Sequence, residues 1–134
     1  MKVAFDGLQE ILQRLGNLPI EEDDENRAVN KAANIVKKAV QEEVTANGWS
    51  FENEIKTKRA KDGEAKVHSG KAYQAHILEG GRSAGSKYAL KNGKRQKVTW
   101  GPIAPNPFFT RGFEKSKAEA MKTMEDEVKK VLGL

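Results

Sequence analysis

The sequence predicts an α+β fold, in which a small antiparallel sheet of about four strands packs against a long helix and a C-terminal helix. Apolar residues recur every three or four positions near both ends of the chain, which is typical of amphipathic helices. Between these regions the pattern changes to period two, which is typical of half-buried strands. The 134 residues suit a single domain, spanning 1–134. A short N-terminal helix and a long mobile loop at 80–96 complete this predicted fold.

The first predicted helix is short. Asp6 is its N-cap, because a carboxylate there accepts an orphan backbone N–H, and Gly16 and Pro19 end it. Its apolar residues follow at helical spacing and are Leu8, Ile11, Leu12 and Leu15. A helix of this length is marginal alone, so we expect it to pack on the rest of the chain.

The second helix, predicted over 23–46, is the clearest element. Five consecutive acidic residues, 21–25, lie where the positive end of the helix dipole stabilises negative charge. Valine and alanine form one stripe along it, and Asn47-Gly48 ends it. Because alanine is small, the stripe allows a sheet or another helix to approach closely.

Four strands are predicted after this helix. Residues 54–58 and 64–68 alternate in polarity around Asp62-Gly63, a pair that favours the type I′ turn of a hairpin. A third strand is predicted at 72–78, with Tyr73, Ala75 and Ile77 on one face, and a fourth at 97–100. These strands indicate a sheet with one face covered by the helices.

The segment between the third and fourth strands predicts an irregular loop. Residues 80–96 are rich in glycine, serine and basic residues, with Gly80 and Gly81 freeing its start and Asn92-Gly93 giving a local turn. Loops of this length inside compact domains are usually functional or disordered.

A stiff connector leads to the last helix. Residues 102–107 contain three of the four prolines, which restrict the backbone to extended conformations. Asn106 is the predicted N-cap of the last helix, and Pro107 its first residue. Phe109 and Phe113 share the apolar face of this helix, whereas Phe108 points about 100° away from Phe109.

Charge is unevenly distributed along the chain. The whole sequence carries a net charge of +5, but residues 1–30 carry −4 and residues 54–97 carry +8. Such a division indicates either a nucleic-acid surface or complementary faces on neighbouring copies of one protein, and the sequence leaves both open.

No catalytic, cofactor-binding or metal-binding motif is found, and the chain is predicted not to be an enzyme. It has no cysteine, and its two histidines, His68 and His76, lack partners at metal-ligand spacing, so their role stays open. Serine at position 86 breaks the phosphate-loop spacing that begins at Gly80. We expect no cofactor, no membrane span and no secretory signal.

A basic segment at 87–100 is a candidate contact surface. Its basic residues flank Tyr88 and Trp100 and are Lys87, Lys91, Lys94, Arg95 and Lys97. Cations contact phosphates and aromatic rings stack on bases, which favours a small nucleic-acid-binding module. The alternative is a solvated loop whose lysines protect a strand edge.

Two segments carry a family resemblance. Residues 72–83, AYQAHILEGGRS, resemble the Tyr-Ala-x-x-x-Glu-x-Gly strand of phage tail-completion, or head–tail joining, proteins, although Gln74 separates the tyrosine from the alanine here. Residues 105–114, PNPFFTRGFE, resemble that family's Pro-x-Pro-Phe-Leu-x-Pro-Ala start of the final helix. Residues 5–12 and the Ala/Val/Lys-rich helix also fit, in the same order.

The resemblance implies a structural virion protein at the head–tail junction or tail end of a tailed phage or prophage, assembled in the bacterial cytoplasm. Such proteins form rings, typically hexameric, that contact head connector or adaptor proteins and tail tube or terminator proteins. DNA would pass without sequence-specific binding, and Glu79 would hold the loop or a neighbouring basic group. The motif and interface residues it implies are Tyr73, Ala75, Ile77, Glu79, Gly80, Gly81, Pro105, Pro107, Phe108 and Phe109.

Overall fold

The chain folds into helices and strands in the α+β arrangement that the sequence predicts. The structure, a computed structural model, describes residues 2–5, 7–16 and 19–134, with side chains from residue 7 onward. In chain order the elements are β1 (Lys2–Phe5), α1 (Leu8–Arg14), α2 (Glu22–Ala46), a short 3-10 turn (Glu52–Glu54), β2 (Lys56–Lys61), β3 (Glu64–His68), α3 (Gln74–Gly80), β4 (Gly85–Lys91), β5 (Lys94–Trp100) and α4 (Phe108–Leu132).

The strands form two separate antiparallel sheets, so the prediction of four strands in one sheet is wrong. One sheet has three strands in the order β1–β3–β2, and the other consists of β4 and β5 alone. The hairpin predicted around Asp62-Gly63 is confirmed, with φ angles of 55° and 74° at these residues, as a type I′ turn requires. Strand β1 was not predicted, since its pairing with β3 joins residues distant in sequence.

The third predicted strand is wrong, because residues 74–80 form α3. Ala72 and Ala75 are buried and Leu78 packs against the core, a three-residue spacing that suits a helix. The segment contains a single β-branched residue, Ile77, among alanine, glutamine, leucine and glutamate, which favour helices. The period-two pattern was therefore a coincidence of a short segment.

The irregular loop predicted at 80–96 is also corrected. Residue 80 ends α3, and residues 85–100 form a hairpin of two seven-residue strands. The local turn predicted at Asn92-Gly93 is confirmed and is the turn of this hairpin, with φ angles of 52° and 74°. Because both faces carry exposed polar side chains, the strands lack the apolar alternation that identifies a half-buried strand.

The core lies mainly between α2, α4 and the three-stranded sheet. The valine and alanine stripe of α2 is buried as predicted, and Gly112 and Ala120 of α4 face inward. A methyl group at Gly112 would lie 2.9 Å from the Cα atom of Val40, so the two helices approach closely at this point. The close approach of another helix to α2 is thus confirmed, and at this point the glycine of α4 allows it.

The end of α1 and the start of α2 lie where the sequence predicts them. Helix α1 buries Leu8, Ile11 and Leu12, and Gly16 follows it with a φ of 89°. The predicted N-cap of this helix, Asp6, lies outside the described residues. Helix α2 begins at Glu22, within one residue of the predicted start.

An aromatic cluster closes one end of the core. The rings of Trp49 and Phe51 stack with centroids 5.8 Å apart, and the ring of Phe108 meets Trp49 edge-on at 5.1 Å. Phe109 lies 6.1 Å from Phe108. Phe108 and Phe109 are fully buried, so their side chains belong to the hydrophobic core of this chain. The interface role that the resemblance implies for these two residues stays a prediction.

Candidate functional site

The hairpin formed by β4 and β5, called here the arm, is the candidate site. Its strands pair with each other along their whole length, from Gly85 opposite Trp100 to Lys91 opposite Lys94, and with no other strand that the structure describes. Tyr88 and Leu90 are 61% and 77% exposed, so the arm presents two large side chains with apolar surface to the solvent. Leu90 was not identified from the sequence as a candidate site residue. The signal that could have found it is the Asn92-Gly93 turn, because an Asn-Gly pair between two segments of equal length is typical of a hairpin.

The two faces of the arm differ. Residues directly opposite each other in an antiparallel pair share a face. Tyr88, Leu90, Arg95 and Lys97 therefore lie on one face, where the Arg95 guanidinium carbon is 4.8 Å from the centre of the Tyr88 ring. The other face carries three half-buried apolar side chains and three lysines, which are Ala89, Val98, Trp100, Lys87, Lys91 and Lys94.

The arm is strongly cationic and has no acidic counterpart within it. All five predicted basic contact residues lie on it and are exposed, and no acidic residue occurs from position 80 to 113. Among the described residues, none of these five cations forms an ion pair. Their charge is therefore available to a partner.

The arm is anchored at a short neck. The backbones of Arg82 and Ile103 exchange two N–H···O bonds of 2.9 Å, and the Arg82 side chain donates to the carbonyl of Gly101 at 3.0 Å. The indole of Trp100 donates to the carbonyl of Ser83 at 3.2 Å. Gly81 has a φ of 73°, and a methyl group there would lie 2.7 Å from the Ile103 carbonyl oxygen. The neck thus fixes the base of the arm, which sequence reasoning did not detect.

Glu79 connects the two segments that carry the family resemblance. Its carboxylate accepts hydrogen bonds from the backbone N–H groups of Phe109 and Thr110, at 2.8 and 3.2 Å, and from the Thr110 hydroxyl. These N–H groups belong to the first turn of α4, so Glu79 caps this helix from α3. The predicted N-cap, Asn106, is displaced by one position, because α4 begins at Phe108 and Pro107 occupies the cap.

The remaining motif residues are placed differently from the prediction. Tyr73, just before α3, is 76% exposed, Ala75 is fully buried and Ile77 is half-buried, so the three do not share one exposed face. Gly80 is exposed with open space around it. Pro105 lies against Gly81 at the neck.

An ion-pair network holds the start of α4 against α2. The Arg111 guanidinium donates to Glu43 at 2.8 Å, and the Lys115 ammonium group lies 3.2 Å from the same carboxylate. The hydrogen bond from Arg111, with a contribution from Lys115, outweighs burial and lowers the pKa of Glu43. Arg111 also donates to Asn106, whose amide donates to Asn47. Helix α4, which follows the neck, is therefore fixed to α2.

A groove of about 520 Å³ lies beside α2 and β2. Two of its cations are engaged within the chain, because Arg27 pairs with Asp24 at 3.0 Å and Lys31 pairs with Glu127 at 2.8 Å. These cations, unlike those of the arm, have their charge balanced locally.

The histidines are separate from these features. His68 ends β3 and accepts a hydrogen bond from the N–H of Gly70, while His76 is exposed on α3. No group of three or more potential metal ligands occurs in the part of the chain that the structure describes. None of the described helices combines the length and apolar character that a membrane crossing requires.

The chain was also compared with known proteins. No match is found among protein-family models, curated proteins or solved structures.

Proposed function

We propose that this chain is a structural virion protein at the head–tail junction or tail end of a tailed phage or prophage. It acts by self-association into a ring, for which a hexamer is the expectation, and by docking to head connector and tail proteins. The observation that carries the proposal is the arm, an anchored and exposed hairpin that combines apolar and cationic side chains. The order of sequence segments that resembles tail-completion proteins supports the same function.

The arm is suited to insertion into another protein. A two-stranded hairpin alone is marginally stable in water, so its strands gain from a surface that covers them. Exposed tyrosine is enriched where proteins contact each other, and Tyr88 and Leu90 lie on the same face of the arm. The arm therefore offers a partner both apolar contact and charge.

The base of the arm supports a mechanical role. Hydrogen bonds at the neck join Arg82 to Ile103, and Glu79 joins α3 to α4 immediately beside it. A force on the arm is thereby passed to α4, which packs along α2 in the core. This arrangement suits a component that must hold its neighbours together.

The experiment compares the wild-type chain with a variant in which residues 84–101 are replaced by Asn-Gly. Native mass spectrometry and electron microscopy measure assembly, alone and with candidate connector and tail proteins. We expect rings from the wild-type chain and none from the variant, with equal helical content by circular dichroism. Rings from both chains would contradict a role for the arm, and the absence of assembly under every condition would contradict the proposed function.

A nucleic-acid-binding module is the second candidate, favoured by five cations beside an exposed aromatic ring, none of which forms an ion pair within the described part of the chain. A two-stranded ribbon is also narrow enough for the major groove of DNA. This function predicts that affinity for DNA falls steeply with salt, with a slope of about −0.9 for each phosphate contacted. Weak or absent DNA binding by a chain that forms rings would exclude it.

A further inference from the structure

We propose that the arm of one copy docks on the acidic run 21–25 at the start of α2 in a second copy. The inference rests on the proposed function, because it names the partner surface for self-association. It joins the most cationic element of the chain to its most acidic segment.

The charge of the arm excludes a symmetric contact between two arms. Each face of the arm carries two or three of its five exposed cations, so two arms packed through the same face would bring like charges together, and like charges placed opposite each other repel. An isologous interface uses the same patch on both copies, so this patch is unsuited to one. The arm must therefore meet a different surface, in a head-to-tail contact of the kind that builds rings.

The acidic run is the complementary surface on the same chain. It is the one stretch of the sequence with five consecutive acidic residues, and Glu21, Glu22 and Asp23 are exposed. Among the described residues, Asp24 is the member of the run that forms an ion pair, with Arg27 at 3.0 Å. The run thus matches the five charges of the arm in number and leaves most of its own charge unbalanced.

Apolar contact favours a protein partner over a nucleic acid. The exposed Leu90 side chain would contribute little binding free energy beside phosphates, whereas its burial against the apolar surface of a protein would stabilise the complex. The acidic run follows an exposed Pro19 and Ile20, whose half-buried side chain packs against the core of its own chain. A second copy therefore presents apolar and acidic groups side by side, as the arm presents apolar and cationic ones.

No ion pair joins the arm to the acidic run within one described chain. Both surfaces are therefore left for contacts between chains.

The test exchanges charge between the two surfaces. The arm variant carries Lys94→Glu and Arg95→Glu, and the acidic-run variant carries Glu22→Lys and Asp23→Lys. A matched control, Lys117→Glu with Lys122→Glu, makes the same charge change as the arm variant on exposed residues of α4. Sedimentation velocity at about 50 mM and about 1 M salt measures association, and circular dichroism verifies folding.

We expect each of the two variants alone to associate about tenfold more weakly than the wild-type chain at low salt. An equimolar mixture of the two is expected to recover association, because each reversed arm then meets a reversed acidic run. The control variant is expected to associate like the wild-type chain. At about 1 M salt we expect the differences to shrink, because exposed charges are screened.

Three results would overturn the inference. Undiminished association of either single variant, or failure of the mixture to recover, would show that the arm docks elsewhere, although rings of the wild-type chain would still support the proposed function. A wild-type chain that stays monomeric at high micromolar concentration would also overturn it, while ring formation with connector proteins would leave the proposed function standing. Loss of duplex DNA binding in the arm variant, with normal assembly, would favour the nucleic-acid-binding module.

Discussion

Glu79 joins two parts of the chain that are thirty residues apart in sequence, because its carboxylate caps α4 from the end of α3. Helix N-termini leave backbone N–H groups without partners, and a carboxylate there also interacts favourably with the helix dipole. Glu79 therefore helps to fix the position of α4 relative to the neck of the arm, together with the contacts of Arg111 and Asn106.

Replacing Glu79 with alanine is expected to lower the free energy of unfolding by about 1–2 kcal/mol, since the N–H groups of Phe109 and Thr110 lose their acceptor. Urea unfolding followed by circular dichroism measures the change. Glu119→Ala, at an exposed position of α4, serves as the control and should change stability by less than about 0.5 kcal/mol. Equal losses in both variants would contradict the capping role.

Gly112 allows α2 and α4 to touch, so Gly112→Ala is expected to destabilise the protein by about 1–3 kcal/mol. The added methyl group would lie 2.9 Å from the Cα atom of Val40, and backbone atoms of a helix cannot move aside easily. Gly80→Ala is the matched control, because nothing lies within 4 Å of that methyl group. It should be neutral or slightly stabilising. Thermal and urea unfolding distinguish the two, and similar effects would contradict a tight helix crossing.

Stability should fall in acid, because the pKa values of Glu43 and Glu127 are lowered in the folded chain by hydrogen bonds from Arg111 and Lys31. A carboxyl group with a lowered pKa stabilises the fold above its unfolded value, here 4.5, and this stabilisation is lost as pH falls through the folded value.

The pH prediction is tested with Glu43→Gln. At neutral pH this variant should be less stable than the wild-type chain, and the difference should shrink as pH is lowered past about 4.5. Denaturant unfolding across this range measures it. A difference that stays constant with pH would show that the ion pair with Arg111 does not contribute.

Among the elements, length decided what the sequence could predict. Helices α2 and α4 each span 25 residues, and their apolar stripes repeat often enough to exclude a strand. Helix α3 has only seven residues, and its apolar positions fit the two-residue period of a strand as well as the period of a helix. The burial of Ala75 in the structure is what favours the helix. Packing against distant parts of the chain supplied that information, and a local pattern does not contain it.

The arm was predicted in composition but not in shape. Its cations, Tyr88 and the Asn92-Gly93 turn were identified from the sequence, whereas β4 was not. A strand is recognised in a sequence by the alternation of apolar and polar residues that one buried face produces, and β4 has no fully buried residue. The neck depends on backbone hydrogen bonds between Arg82 and Ile103, which any residue types can form.

Trp100 fixes the base of the arm, and Trp100→Ala is expected to loosen it. The indole covers Gly85, where a methyl group would lie 2.7 Å from the ring, and donates to Ser83. Hydrogen exchange of the backbone amides from 85 to 100 should become faster, while exchange in α2 and α4 should not change. Ser86→Ala, at an exposed position of the arm, should have no such effect. Unchanged exchange in Trp100→Ala would contradict the anchoring role.

At the scale of the whole molecule, folding and the candidate site use different residues. Within the described chain, the core cluster and the partly buried residues that pack against it contain no side chain between positions 79 and 107. The arm and its neck therefore lie outside the hydrophobic core.

Replacement of residues 84–101 by Asn-Gly should accordingly leave the melting temperature within a few degrees of the wild-type value. The Arg82–Ile103 pair remains in this variant, and the four residues Ser83-Asn-Gly-Pro102 that then join its two sides are a common length for a hairpin connection. Differential scanning calorimetry measures the change. A chain that no longer melts cooperatively would show that the arm contributes to the core after all.

Since no core residue of the described chain belongs to the arm, the sequence of the arm can change without a loss of core packing. A library randomised at 86–91 and 94–99 should yield mostly well-expressed proteins, because the turn and the neck are retained. Selection from such a library would produce new recognition surfaces on an unaltered scaffold.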